Sequence, residues 1–138
     1  MWLCLPYGLY SVVAAHDLTT GKIDPTLLLI RGRDRSQMEA LQSRFPLLHG
    51  LKVIHTPDRD YAFRIICEKA TWVKVMAQMA EEVTWDNFKN EATRVSGHGI
   101  YVNCLHDVWS IFRRLQLPPL ISEVRGKKKQ AKLLRDEE

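Results

Sequence analysis

Three apolar runs of strand length precede the first helical pattern of this chain, and they restrict the folds open to it. The runs occupy 1–5, 9–15 and 26–31. The turn Pro6-Tyr7-Gly8 separates the first two runs, and a polar loop at 16–25 separates the second from the third. Because short connections join neighbouring strands into antiparallel hairpins, this order predicts an antiparallel sheet.

The apolar spacing beyond this point predicts two more strands and four helices. A run at 51–56 and an alternating run at 61–68 are typical of strands. Apolar residues that recur every three or four positions predict helices in four segments, 36–45, 71–83, 86–95 and 100–115. The order β-β-β-α-β-β-α-α-α favours an α+β fold, with a small and mainly antiparallel sheet, helices packed on one face, and a helical C-terminal half.

Polar residues ahead of these segments predict where three helices begin. Ser36 stands three positions before Glu39, which is the spacing of a capping box at the first helix. Thr71 is the predicted N-cap of the second helix. Thr84 or Asp86 is the predicted N-cap of the third.

Length and charge set the predicted domain plan. The 138 residues predict one domain at 1–120, followed by a basic, flexible tail at 121–138. Six basic and three acidic residues from Arg125 onward supply +3 of the net charge of +4, so the remaining chain is nearly neutral. Net charge alone therefore gives little indication of a nucleic-acid ligand. Because Pro6 and Gly8 interrupt the uncharged first 15 residues, we expect no signal peptide, no membrane partner and a cytoplasmic location.

The residues that bind metals in proteins are scattered along the sequence. Cys4, Cys67 and Cys104 have no paired spacing, which predicts free, buried thiols in a reducing compartment. The histidines also lack the paired spacing of zinc sites. We therefore expect neither a metal nor a cofactor.

Several short strings, taken in order, resemble a widespread family of small bacterial and phage proteins of unknown function. The strings are Met1-Trp2-Leu3, Gly8-Leu9-Tyr10-Ser11-Val12-Val13, Arg31-Gly32-Arg33-Asp34, Asp60-Tyr61-Ala62-Phe63-Arg64, Trp85-Asp86-Asn87-Phe88-Lys89 and His106-Asp107-Val108-Trp109. The chain departs from the family pattern at Phe63 and Trp85, each in place of tyrosine, and at Leu105, in place of the tyrosine before the histidine. The resemblance implies a shared fold and a bacterial or phage origin, and it implies no activity.

Basic and aromatic residues at strand ends and at a helix start form the predicted binding surface. Arg31 and Arg33 are two positions apart at the end of one strand and so share a face, while Arg64 lies on another strand. Guanidinium groups bind phosphates and carboxylates bidentately. The residues predicted to bind an anion or a partner are Arg31, Arg33, Tyr61, Arg64, Trp85, Asn87, Lys89 and His106.

An alternative interpretation pairs each cation with an acidic neighbour on the surface. The pairs would be Arg31 or Arg33 with Asp34, Arg64 with Asp60, and Lys89 with Glu91.

These residues leave three classes of function open. The preferred prediction is a small binding or regulatory protein, without catalysis, whose basic and aromatic surface binds nucleic acid, a phosphate-bearing ligand or a protein. The first alternative is a phosphate-directed enzyme in which His106 is the acid–base, Asp86 its carboxylate, and the three arginines clamp the substrate. The second alternative is a protein-binding inhibitor or immunity-type protein. The sequence leaves the oligomeric state open.

Overall fold

The computed structural model describes residues 1–116 and contains, within them, five strands and four α-helices. In chain order these are β1 (Trp2–Leu5), β2 (Gly8–His16), β3 (Ile23–Gly32), α1 (Arg35–Arg44), β4 (Ile54–His55), β5 (Phe63–Glu68), α2 (Lys69–Glu81), α3 (Phe88–Ser96) and α4 (Ile100–Phe112). Two 3₁₀ turns, Pro46–Leu48 and Arg113–Gln116, follow α1 and α4. The predicted α+β class and order of elements are confirmed.

The five strands form one antiparallel sheet in the order β1-β2-β3-β5-β4. The pairing of β2 with β3 is regular from Ser11 to Ala14, and its register then shifts, so that Ala15 lies opposite Asp24. Pro25 follows directly in β3, and a proline cannot donate a ladder hydrogen bond, which is why it is confined to edges and irregularities of a sheet.

One face of the sheet carries the main hydrophobic core. Helices α1 and α2 pack on this face. The buried strand residues there are Tyr10, Val12, Ile30, Ile65 and Cys67, and the helices contribute Met38, Leu41, Trp72, Val75 and Met79. Burying one large apolar side chain of this kind stabilises a fold by about 1.5–3 kcal/mol, so the predicted packing of helices on one face has a strong energetic basis. We call the opposite face of the sheet the outer face.

The structure corrects the three predicted helix caps. Asp34, and not Ser36, is the N-cap of α1, because its Oδ1 accepts both the backbone N–H and the hydroxyl of Ser36 at 2.7 Å. Glu68 precedes α2 without a side-chain cap, so Thr71 lies inside that helix. Asn87 caps α3 by accepting the N–H of Asn90 at 3.1 Å, a role predicted for Thr84 or Asp86.

Contacts divide the chain into two units, Met1–Asn103 and the segment from Cys104 on, and each is described by itself. The predicted tail at 121–138 lies outside the described residues. Cys67 is buried as predicted, whereas Cys4 and Cys104 are exposed, which contradicts the expectation for those two thiols. Within residues 1–116, every helix is too short or too polar to cross a bilayer.

Candidate functional site

Three of the predicted cationic residues converge around one tyrosine at the ends of strands β3 and β5. These residues, Arg31, Arg33 and Arg64 together with Tyr61, are called here the arginine cluster. All four lie in the first unit. Tyr61 is buried, with 4% of its surface exposed, Arg31 and Arg64 are half-buried, and Arg33 is exposed.

The strand register explains why Arg31 and Arg64 meet. Arg31 of β3 lies directly opposite Arg64 of β5 in the antiparallel ladder, so the two side chains leave the sheet on the same face. Their neighbours Ile30 and Ile65 are also paired and point into the core on the other face. The two arginines therefore lie on the outer face.

Gly32 fixes the position of the strand end that carries the cluster. A Cβ at Gly32 would lie 2.7 Å from the Met38 sulfur, and Met38 is fully buried in α1. The glycine thus allows the end of β3 to approach α1 closely, while Arg31 and Arg33 on either side of it turn to the outer face.

Two guanidinium groups stack on the ring of Tyr61. The Cζ atom of Arg31 is 4.7 Å from the ring centroid, and that of Arg33 is 4.5 Å from it. Such contacts are worth about 0.5–1 kcal/mol at exposed sites and about 2 kcal/mol where the groups are desolvated. The tyrosine therefore orients two cations that would otherwise repel each other.

Hydrogen bonds to neutral groups complete the geometry of the cluster. Arg31 donates from Nη2 to the buried Ser11 hydroxyl at 2.8 Å. Arg33 donates from Nε to the backbone carbonyl of Asp60 at 3.2 Å. Arg64 donates from Nε and Nη2 to the backbone carbonyl of Tyr61 at 3.4 and 3.3 Å. Each acceptor is uncharged, so none of these bonds neutralises a guanidinium.

Acidic side chains near the cluster bind other partners. Among residues 1–116, no ion pair joins Arg31, Arg33 or Arg64 to an aspartate or glutamate. Asp34 caps α1, and the Asp60 carboxylate accepts the backbone N–H of Tyr61 at 2.9 Å. The alternative in which these three arginines pair with Asp34 and Asp60 is therefore wrong.

For the third pair of that alternative, Lys89 with Glu91, the structure shows a partner of the carboxylate. Glu91 binds Arg94 through two hydrogen bonds of 2.6 and 2.8 Å. This ion pair lowers the pKa of the Glu91 carboxyl.

The remaining predicted binding residues of the first unit lie around the start of α3, with Trp85 and Asn87 before the helix and Lys89 within it. Asn87 is exposed and its side chain serves as the N-cap, whereas Trp85 and Lys89 are half-buried. Helix α3 begins one residue after Asn87. A shared role of these three residues with the arginine cluster stays a prediction.

The two residues proposed for catalysis are both exposed. His106 lies on α4 in the second unit, and Asp86 lies in the connection before α3 in the first. Their participation in a reaction stays a prediction.

Sequence reasoning missed two residues that belong to the surface around the cluster. Ser11 is a buried polar residue in a strand otherwise rich in apolar residues, and it binds Arg31. Trp2 lies opposite Ser11 in the ladder and is 71% exposed on edge strand β1. The sequence feature that could have indicated them is a single serine within an apolar run, with a tryptophan on the preceding strand.

A cleft of about 490 Å³ lies beside the start of α1 in the first unit. Its walls include Tyr7, Asp34, Gln37, Arg44 and Tyr101. Arg44, the one cation among its described lining residues, already binds both carboxylate oxygens of Glu82 at 2.8 and 2.9 Å. This cleft is therefore a poorer site for an anion than the arginine cluster.

Within the described part of the chain, no three histidine, cysteine or acidic side chains are grouped so that they could hold a metal ion.

Comparison with known proteins adds no relative. No family model, no curated protein sequence and no solved structure matches this chain. The resemblance to a family of small bacterial and phage proteins stays a prediction, and the function has to be argued from the site.

Proposed function

We propose that this protein is a binding module for a phosphate-bearing ligand, and that the arginine cluster is the binding site. The observation that carries the proposal is the convergence of three guanidinium groups around Tyr61 without an ion pair among the described residues. The proposal narrows the preferred sequence prediction, a binding or regulatory protein with an anionic or protein partner, to a phosphate-bearing ligand.

Hydrogen-bonding capacity supports a phosphate oxyanion as the ligand. A guanidinium group has five N–H donors. Arg31 and Arg33 each use one donor on a protein acceptor, and Arg64 uses two on a single carbonyl. Apart from the buried Arg31 Nε, the unused donors are suited to the oxygens of a phosphate, which accept charge-assisted bonds that are roughly twice as strong as neutral ones.

Electrostatic cost supports a functional role for the cluster. Like charges directly opposite each other on neighbouring strands destabilise a sheet by roughly 0.2–1 kcal/mol. In addition, the Arg31 Nε is buried without a hydrogen-bond partner among the described residues, and leaving such a donor unsatisfied costs about 1–3 kcal/mol. Apolar side chains would remove both costs, so stability alone does not account for these arginines.

Calorimetric titration with inorganic tripolyphosphate tests the proposal. The wild-type chain should bind the ion at low salt, and Arg31→Gln and Arg64→Gln should each weaken binding by about tenfold, because a hydrogen bond to a charged group contributes about 1.5–3 kcal/mol. Arg94→Gln is the matched control, since it removes the same charge from an arginine that already has a carboxylate partner. Circular dichroism should show all variants folded.

Two results would refute the proposal. One is the absence of tripolyphosphate binding to the folded wild-type chain. The other is equal weakening by Arg94→Gln, which would show that the ion responds to overall charge and not to the cluster.

A further inference from the structure

A row of side chains crosses the whole outer face of the sheet and contains two residues of the arginine cluster. The ladder pairs Trp2 with Ser11, Ser11 with Arg31, Arg31 with Arg64, and Arg64 with Ile54. Paired residues share a face, so these five side chains form one line perpendicular to the strands. Strands lie about 4.8 Å apart, which makes the line about 19 Å long.

The row differs from its surroundings in charge, and Ser11 within it is buried, with 1% of its surface exposed. Trp2 at one end is 71% exposed and Ile54 at the other is 36% exposed, with two arginines between them. The next row on the same face, Val13, Leu29 and Ile66, is aliphatic. Glu68, the acidic residue of β5 on this face, lies four residues beyond Arg64, about 13 Å along the strand, and the nearer Asp60 carboxylate already accepts the backbone N–H of Tyr61.

We infer that this row is a track for single-stranded nucleic acid, with Trp2 stacking on an unpaired base while Arg31 and Arg64 bind the phosphates. The inference rests on the proposed function and names its ligand class. Single strands expose the faces of their bases, and proteins bind them by combining aromatic platforms with basic grooves along the backbone. A duplex keeps its base faces stacked internally, so it offers no free base face on which the exposed Trp2 indole could stack.

The geometry favours this ligand over an acidic protein segment. Carboxylates of an acidic peptide would pair with the arginines equally well, but they give no role to an indole at the far end of the same row. In the aliphatic row beside the arginines, Ile66 is 38% exposed and offers apolar surface to bases or sugars, and a charged peptide gains little from it. Charge and apolar exposure together therefore match a nucleic-acid strand.

Fluorescence anisotropy with a labelled oligothymidylate of about eight nucleotides tests the inference, using the full chain at several salt concentrations. Trp2→Ala should weaken binding by about tenfold or more without changing the salt dependence, because stacking carries no charge. The slope of log K against log salt concentration is negative, and Arg31→Gln and Arg64→Gln should each reduce its magnitude by about 0.7. Trp2→Phe should retain most of the affinity.

Controls separate this inference from the proposed function. Leu18→Ala removes another exposed apolar side chain, 96% exposed in the loop before β3, and should leave affinity unchanged. A duplex of the same length and a polyglutamate peptide should both bind more weakly than the single strand.

The outcomes are distinct. Equal affinity for single strand and duplex, tighter binding of polyglutamate, or no effect of Trp2→Ala would each overturn the inference. If tripolyphosphate binds the cluster while Trp2→Ala leaves the affinity for the oligonucleotide unchanged, the proposed function stands and the nucleic-acid inference fails. If neither probe binds, both fail.

Discussion

Replacing Arg64 with methionine should separate the binding role of the arginine cluster from any role in folding. Arg64 faces Arg31 across the ladder, where Cα atoms of antiparallel partners are about 4.5–5.5 Å apart. The repulsion between directly opposed like charges is about 0.2–1 kcal/mol. Methionine keeps an unbranched apolar stem of similar reach and removes the charge.

The cost of losing the Arg64 hydrogen bonds is small. Both of them go to the same carbonyl, at 3.3 and 3.4 Å, which is the long end of the range for such bonds. A charged donor contributes about 1.5–3 kcal/mol at good geometry, and because these two bonds are longer than the usual range we assign them together about 0.5 kcal/mol. The two effects oppose each other, so the free energy of unfolding of Arg64→Met at low salt should lie within about 0.5 kcal/mol of the wild-type value.

The salt response gives the sharper measurement. Salt screens the repulsion in the wild-type chain, so its free energy of unfolding in urea should rise with sodium chloride, and Arg64→Met should show a smaller rise. Arg94→Met is the matched control with the opposite expectation, because Arg94 is paired with Glu91 and salt screens an attraction there.

The reasoning about Arg64 would be refuted by a loss of more than about 1.5 kcal/mol in Arg64→Met that is the same at all salt concentrations. Such a loss would show that Arg64 contributes to the fold through its hydrogen bonds, and the argument that the cluster costs stability would fail.

Three further predictions concern the fold. Gly8→Ala should destabilise the chain by about 1–3 kcal/mol in urea unfolding, because the added Cβ would lie 2.5 Å from the hydroxyl of the fully buried Tyr10. Gly50→Ala adds a Cβ in open space and should change stability little. Equal loss of stability in the two variants would contradict the predicted clash at Gly8. Asp34→Ala should cost about 1 kcal/mol through loss of the α1 N-cap, and an unchanged urea midpoint would argue against that cap. Burial raises the pKa of three tyrosines above the ordinary value of 10.0, so the protonated form is favoured in the folded state, and the free energy of unfolding should fall as pH rises above 10.0. The three are Tyr7, Tyr10 and Tyr101. Ultraviolet titration should show phenolate forming together with unfolding. Phenolate formation in the folded chain would contradict the assigned burial.

The sequence was sufficient for the order of elements because each element has its own local pattern. The strand at Phe63–Glu68 alternates, and the helices repeat their apolar residues every three or four positions. The predicted run at 51–56 was less informative, since only Ile54–His55 pairs with β5. Local patterns do not contain the register, and so they did not show that Arg31 lies opposite Arg64.

The helix caps show the limit of local spacing. The Ser36 and Glu39 pair fits the capping-box pattern, yet Asp34 lies two residues before Ser36, and its charged carboxylate accepts the backbone N–H of Ser36. The hydroxyl of Ser36 then donates to that carboxylate and is no longer the capping acceptor. Competition between two adequate caps is settled by geometry that spacing does not reveal.

The binding surface was partly predictable for a similar reason. The sequence predicts eight residues that bind an anion or a partner, and the structure brings four of them together. These four are Arg31, Arg33, Tyr61 and Arg64. The involvement of Trp2 follows only from the order β1-β2-β3-β5-β4, because the chain positions of Trp2 and Arg64 are far apart. Which residues form a row across the sheet depends on the register of every strand pair, and the sequence pattern of a single strand does not contain it.

The close approach at Gly32 links the chemistry of the outer face to the packing behind it. The Met38 side chain lies against the backbone between Arg31 and Arg33, so a change in the volume of this core residue should shift the strand end and the two arginines that contact Tyr61. If the arginine cluster binds a ligand as proposed, substitutions in α1 that do not contact the ligand should change its affinity. Variants with altered binding should accordingly include changes on the hidden side of the sheet, next to Gly32.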